Sequence, residues 1–344
     1  MIQAVRKKEA FLNVTNLMTK IHTPEGSMTV LDHINLSIDK GDIMAIVGES
    51  GSGKSMTIHS ILQMITKNLL DSYAGEIEVE GKSILDIGEK EMQQIRGKKI
   101  SLVAQNAMTS LDPSYRVGKQ IIEIILDKTN LSKREAIEKA LYLLEEMGID
   151  EAKRVFQSYP HQLSGGLRQR VVIAMSLACD PDLIIADEPT SALDPSVQLQ
   201  VLELFKKINR DLGTAILIIT HDFGVVARIA ESVAVMYAGQ IVEQGKTSEV
   251  IYNPQHPYTN SLLNCIPDLD WIFLDGVGKK PLFQIKGEPP NLMNLSSGCR
   301  FANRCHMAKD ICRSKLPELK KVHSPDLNHL VRCLLTERRE SYAK

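Results

Sequence analysis

Three features of the sequence predict an α/β fold built on a mixed sheet. From Gln162 to Ile229 short apolar runs alternate with helix-like segments, the pattern of a parallel sheet with crossover helices. The apolar run Ile43–Val47 feeds straight into a glycine-rich stretch, Gly48-Glu49-Ser50-Gly51-Ser52-Gly53-Lys54-Ser55, and a helix-like segment follows it. From about Val117 to Met147 the period changes. Ile121, Ile122, Ile125, Ala136, Ile137, Ala140, Leu141, Leu144 and Met147 fall on helical stripes, and Gly148 stands where a C-cap would. The expected architecture is an α/β domain over 1–252 with a helical subdomain at about 106–165, followed by a small loop-rich C-terminal extension over 253–344.

Taken in order, residues 11 to about 85 read as short strands. Met28 to Leu31, Ile34 to Ile38 and Glu76 to Val79 are set apart by turn signals at Gly41, Gly75 and Gly81. Ile43–Val47 reads as a buried strand and Met56 to Met64 as a helix. The stretch between them fits the phosphate-loop pattern GxxxxGK[ST]. Its glycines let backbone N–H groups curl around the β- and γ-phosphates of a nucleotide. Lys54 adds a positive charge within reach of those phosphates, and the Ser55 hydroxyl suits Mg²⁺. Met56 opens the helix, whose positive end points at the anion. Gly48 through Met56 are therefore the candidate binding residues, with ATP and Mg²⁺ as the expected ligands. Beyond Asn253 the texture shifts, and Pro254, Pro257, Pro267, Pro281, Pro289 and Pro290 break the chain often.

Composition excludes several classes. The 344 residues suffice for one large α/β domain with an appendage, or for two domains. Hydrophobic residues make up 43%, ordinary for a globular core and too few for a polytopic membrane protein. No apolar run approaches the roughly 20 residues that span a bilayer. Arg6-Lys7-Lys8 lack an apolar stretch behind them, so no secretory signal is expected. The net charge is −1 with both signs interspersed, which gives no electrostatic footprint for nucleic acid. Of six cysteines, Cys179 and Cys265 read as inert, and a cytosolic location argues against structural disulfides.

Four apolar runs each end in a polar residue suited to nucleotide chemistry. Ile43–Val47 leads to the phosphate loop, Ile100–Ala104 to Gln105, Leu183–Ala186 to Asp187-Glu188, and Ala215–Thr220 to His221. Open parallel sheets bind ligands beyond the carboxyl ends of their strands, so these groups should converge on the γ-phosphate. Asp187 then reads as the acid that holds Mg²⁺ through water, and Glu188 as the general base for the attacking water. His221 can hydrogen-bond the γ-phosphate and help hold that water. Gln105 offers an amide to Mg²⁺ or to the same water. Each residue alone has a plainer reading as a strand-end cap or a surface side chain.

Leu163-Ser164-Gly165-Gly166-Leu167-Arg168-Gln169-Arg170 closely resembles LSGGQxQR, the signature of ABC-type ATPases. With the phosphate loop, Gln105, Leu183–Glu188, Ser191-Ala192-Leu193-Asp194 and His221, the order and spacing resemble that family over about residues 10–252. The resemblance implies a P-loop NTPase fold of the ABC type, in which two cassettes sandwich two ATP molecules. Ser164, Gly165, Gly166 and Gln169 of one subunit would face the nucleotide of the other, and Asp194 would lie at the interface. The sequence departs from the family pattern near Ile21, where an aromatic residue usually stacks on adenine, and at Leu167, where glutamine is common. ATP over GTP is therefore left open.

Ser158-Tyr159-Pro160-His161-Gln162, Asn253-Pro254-Gln255-His256-Pro257-Tyr258-Thr259 and Gly287-Glu288-Pro289-Pro290 resemble the oligopeptide/dipeptide importer ATPases, a group that also holds nickel importers. The set Cys299, Cys305, Cys312 and Cys333, spaced C-x5-C-x6-C-x20-C, belongs to that resemblance. It implies a [4Fe–4S] cluster, with structural zinc or unligated thiols as the other readings. The family also implies partners. These are two membrane-spanning permease subunits, whose coupling helices would dock near Ser110-Leu111-Asp112-Pro113, and a second homologous ATPase, or a second copy of the same chain. An extracytoplasmic peptide-binding protein would act indirectly, and the expected location is the cytoplasmic face of the cell membrane. A soluble ABC ATPase and a non-catalytic cassette are the competing functions. One cassette, no long heptad run and the presence of Lys54, Gln105, Glu188 and His221 weigh against both.

Overall fold

The computed structural model describes residues 10–191, 193–266, 283–322 and 328–336. Arg6, Lys7, Lys8, Ala192, Pro267 and Pro281 lie outside the described residues. The chain opens with long strands β1 (Ala10–Thr23) and β2 (Gly26–Asp39), then β3 (Ile43–Val47) and α1 (Lys54–Ile61). β4 (Leu70–Val79), β5 (Lys82–Ser83), α2 (Glu89–Ile95) and β6 (Ile100–Val103) follow. A helical stretch comes next, with α3 (Ala107–Ser110), α4 (Val117–Lys128), α5 (Lys133–Glu146), α6 (Ala152–Gln157) and α7 (Gly165–Ser176). Strands and helices then alternate through β7 (Leu183–Asp187), α8 (Pro195–Leu212), β8 (Ala215–Thr220), α9 (Phe223–Ile229), β9 (Ser232–Tyr237), β10 (Gln240–Lys246), α10 (Thr247–Tyr252) and α11 (Pro257–Asn264). The last described elements are α12 (Asp310–Ser314), β11 (Lys320–Lys321) and β12 (Leu330–Val331).

Two sheets form. One is antiparallel with order β2-β1-β4-β5, and the other has eight strands in the order β11-β12-β10-β9-β3-β8-β7-β6. The pairs β6–β7, β7–β8, β3–β8 and β3–β9 are parallel. Their carboxyl ends therefore share one edge.

Side chains on a strand alternate between faces, and this sequence fills both faces with apolar groups. Ile43, Ala45 and Val47 of β3, with Ile216 and Ile218 of β8, pack under the helices. Met44 and Ile46, with Leu217 and Ile219, pack toward the antiparallel sheet and α1. Five continuous apolar residues in β3 thus serve two cores at once.

The runs Met28 to Leu31 and Ile34 to Ile38, expected as two strands, are parts of the single strand β2. His33 sits between them at φ +52, in the left-handed region. There the pairing slips, from Leu17 opposite Ile34 to Thr19 opposite Leu31. This bulge changes which parity of residue faces the core, so a period-2 reading breaks where the strand does not.

The C-terminal extension is bound into the main body. β12 pairs with β10 through Glu243 opposite Val331. Phe301, 1% exposed, meets Tyr237 and Tyr258, each at 5.3 Å between ring centroids. His256 caps α11, accepting from the Tyr258 N–H at Nδ1 over 3.0 Å, while its own backbone N–H donates to Glu243 Oε2 at 2.9 Å. Burial holds this imidazole neutral and lowers its pKa from 6.5 to about 4.

With the folded pKa depressed, the unfolded chain binds the extra proton between these two values. Stability is then present above about pH 6.5, falls as pH drops toward 4 and levels off below it. The contribution is on the order of 3 kcal/mol. Denaturation curves at neutral pH and near pH 4.5 should show this decline. His256→Asn, which keeps a capping oxygen, should make it shallower.

Candidate functional site

The glycine-rich loop runs from the end of β3 into α1. A Cβ at Gly48 would lie 2.2 Å from the Met236 carbonyl oxygen, so that position accepts no larger residue. Gly53, at φ +110, opens α1 with a backbone conformation that side chains rarely adopt. Lys54 is buried, and its Nζ donates to the Gly48 carbonyl at 2.8 Å and the Glu49 carbonyl at 2.9 Å. The ammonium therefore lies across the loop it serves. Burial lowers its pKa, against the opposing pull of Glu188, Asp187 and Glu49. Ser50 and Gly51 are exposed, and Gly51 turns at φ +75. Ser55 and Met56 are half-buried on the first turn of α1.

The three other strands deliver their residues to the same edge. β7 places Asp187 at its last position and Glu188 just past it; β6 and β8 end short of Gln105 and His221. Gln105 Nε2 donates to Glu188 Oε2 at 3.0 Å, and His221 Nδ1 lies 3.2 Å from Glu188 Oε1. Both carboxylate oxygens of Glu188 are thus engaged. Its backbone is at φ +45, strained for a non-glycine residue and pinned by its own N–H donating to the Ile219 carbonyl at 2.8 Å. Gly48, Glu49, Ser50, Gln105, Glu188 and His221 line one open cleft of about 760 Å³. Leu262, Phe283 and Ile285 give its apolar side. The sequence had offered no sign that these residues would reach the loop.

Mg²⁺ is tested by what the site leaves unsatisfied. Asp187 is buried and hydrogen-bonded to Ser55, yet its Oδ1 has no partner among the described residues, and neither has the buried Ser52 hydroxyl. Burial raises the Asp187 pKa, the cost of holding a carboxylate without a cation. A carboxylate, a serine hydroxyl and a nearby amide suit a hard, oxygen-seeking cation, so the residues fit the ion.

The four C-terminal cysteines do not fit a cluster in the same way. Cys299, Cys312 and Cys333 pack with Ala302 and Leu335 in a small satellite core. Among the described residues, no group of three or more His, Cys, Asp or Glu side chains could hold a metal ion. Burial pushes the Cys299 thiol up to about 11 and raises Cys305 too, and the neighbouring Cys312 and Cys333 sulfurs add to both rises. The expected [4Fe–4S] or zinc site on Cys299, Cys305, Cys312 and Cys333 thus finds no support among the described residues. Cys299 and Cys305 also pack against the main core.

The signature segment stands apart from the cleft. Ser164 caps α7, accepting from the Leu167 N–H at 3.4 Å, and Ser164 and Gly165 are exposed. Gly166 packs against Val197. Gln169 departs from expectation. It is 3% exposed on the buried side of α7, so its side chain cannot face a nucleotide on another subunit as Ser164 can. Asp194 caps α8, accepting from the Ser196 and Val197 N–H groups at 3.1 Å each. Ile21 lies in β1 and does not line the cleft.

Among the described residues, no helix is long and apolar enough to cross a membrane. Residues 31–191 match the ABC transporter family, and residues 242–312 match the C-terminal region of the oligopeptide/dipeptide transporters. The oligopeptide transport ATP-binding protein OppD of Escherichia coli K12 is 43% identical over 91% of both chains. That of Bacillus subtilis 168 is 46% identical over 90% of this chain and 86% of its own. Among solved structures, an ATP-binding cassette dimer in a post-hydrolysis state with ADP and phosphate is 30% identical. It covers 69% of this chain and 98% of its own, with a TM-score of 0.61. By its cassette, its C-terminal region and its near full-length relatives, the chain belongs to the oligopeptide/dipeptide branch of the ABC transporter ATP-binding proteins.

Proposed function

We propose that this chain is the ATP-hydrolysing subunit of a membrane importer for di- and oligopeptides. The observation that carries the ATPase reading is the clamp on Glu188, held between Gln105 and His221 at the mouth of the phosphate loop. The peptide reading is supported by the relatives' names and by the matching C-terminal region. The chain sits at the cytoplasmic face of the membrane and works with two permease subunits and a second ATPase. That second ATPase is a homologue, with a second copy of this chain as the alternative. An extracytoplasmic binding protein hands over the peptide.

Ser55 and Asp187 would hold Mg²⁺, which would supply charge screening for the phosphate chain. The loop N–H groups and Lys54 bind the phosphates. Glu188 takes the proton of the attacking water, while His221 and Gln105 orient that water. Binding pulls Gln105 and His221 from the carboxylate toward the phosphate, which frees Glu188 to act. Ser164, Gly165 and Gly166 offer an exposed helix N-terminus to the γ-phosphate on the other subunit, so neither site is complete alone.

Uptake separates the possible cargoes. In cells carrying Glu188→Gln in place of the native chain, labelled di- and oligopeptide uptake should be lost while nickel uptake stays intact. The opposite pattern would move the chain to the nickel branch and leave the ATPase chemistry untouched.

A further inference from the structure

The phosphate loop is gripped by the C-terminal extension. Glu49, the second residue of the loop, accepts from Arg304 twice, Nη1 to Oε2 at 2.7 Å and Nη2 to Oε1 at 3.0 Å. This fork is largely out of solvent, with the Arg304 side chain 6% exposed. The Glu49 backbone N–H donates to the hydroxyl of Tyr258, a fully buried residue of α11, at 3.0 Å. Arg304 also donates to the Tyr237 hydroxyl at 3.3 Å and the Lys286 carbonyl at 3.3 Å, so its fork is fixed from behind.

A second arginine, four residues earlier in sequence, supports the far side of the loop. Arg300 bonds the Asp32 carboxylate and the Ala238 carbonyl. The next residue, Gly239, donates its N–H to the Ser52 carbonyl at 2.7 Å.

We propose that Arg304 and Tyr258 are positioning residues for ATP binding, holding Glu49 so that the phosphate loop is shaped and electrically matched to the nucleotide before it arrives. This deepens the ATPase reading and rests on it. Two physical effects act together. A loop ordered in advance loses less entropy when it closes on the phosphates. A carboxylate at the second loop position would also repel a polyanion unless a cation is locked onto it, and a bidentate guanidinium does this with fixed geometry. The extension is therefore part of the nucleotide site, although it contributes no residue to the phosphate-loop pattern. Anything that shifts the turn from Cys299 to Cys305 shifts Arg300 and Arg304 with it and is felt at Glu49 and Ser52.

The test is calorimetric titration of the full chain with Mg-ATP, alongside thermal unfolding of each nucleotide-free variant. Arg304→Ala should weaken ATP binding about tenfold, the loss expected for one charge-assisted fork. In a Glu49→Gln background the same substitution should cost no more than about twofold, because the repelling charge is gone. Arg304→Lys should recover part of the affinity. Tyr258→Phe, which preserves shape and removes only the hydroxyl, should weaken binding several-fold and keeps the proposal testable if Arg304→Ala does not fold. In steady-state turnover the change should appear in KM for ATP more than in kcat.

An equal loss from Arg304→Ala in both backgrounds would overturn the proposal. So would lowered thermal stability with unaltered affinity, or unaltered affinity in Tyr258→Phe. A native chain that binds no Mg-ATP would instead remove the nucleotide reading itself.

Discussion

Glu188→Gln is expected to cut ATP turnover about a thousandfold, within the range that a positioned general base supplies, while ATP still binds. The amide is nearly the same size as the carboxylate and still accepts one hydrogen bond, so the fold and the phosphate loop should be undisturbed. What is lost is the ability to take a proton from water. Gln105 and His221 lose the carboxylate that both now contact, at 3.0 and 3.2 Å. If, as proposed, hydrolysis reopens a closed pair of cassettes, the variant should accumulate as an ATP-bound dimer. Size-exclusion chromatography with Mg-ATP should show the dimer, and phosphate release should show the stalled chemistry. Turnover near the native rate would remove Glu188 from the role of base.

How this site could be read before the structure differs from part to part. The four strand ends were legible because each is local: an apolar run of four to six residues followed at once by a polar group. The parallel register, with Val47 beside Thr220 and Ile219 beside Asp187, then brings those ends together without further information. The glycines of the loop were legible for the same reason, since spacing along the chain fixes the turn. Other features depend on contacts that spacing does not encode. Arg304 and Glu49 are 255 residues apart, and no periodic pattern links them. The left-handed backbones of His33 and Glu188 occur at residues not specialised for that conformation, so the bulge in β2 and the strain at the base left no mark in the sequence. The cysteine set rested on the family resemblance alone, and Cys299, Cys312 and Cys333 are packed with Ala302 and Leu335. Gln169 likewise follows the signature by position and is turned inward by the helical period of α7.

Lys54→Ala should remove nucleotide binding itself, and so separates recognition from chemistry. The native ammonium is buried among carbonyls and acids. It bridges the Gly48 and Glu49 carbonyls, and Glu188, Asp187 and Glu49 all favour its charged form. Truncation leaves the Gly48 and Glu49 carbonyls without this donor, and takes a positive charge away from buried Asp187 and half-buried Glu188. A polyanionic ligand would then enter a pocket of net negative sign. Breaking a buried charge arrangement by removing one partner typically costs about 3–5 kcal/mol, so ATP affinity should fall by roughly a hundredfold to several thousandfold. Titration with Mg-ATP measures this directly. The loss should far exceed that of Glu188→Gln, which keeps the cation and alters only an acid at the edge of the loop. If Lys54→Ala bound ATP within a few-fold of the native chain, the loop N–H groups would be sufficient by themselves. The two carbonyl contacts of Lys54 would then be a structural tie within the loop, and its charge would belong to the loop's own stability rather than to the phosphate.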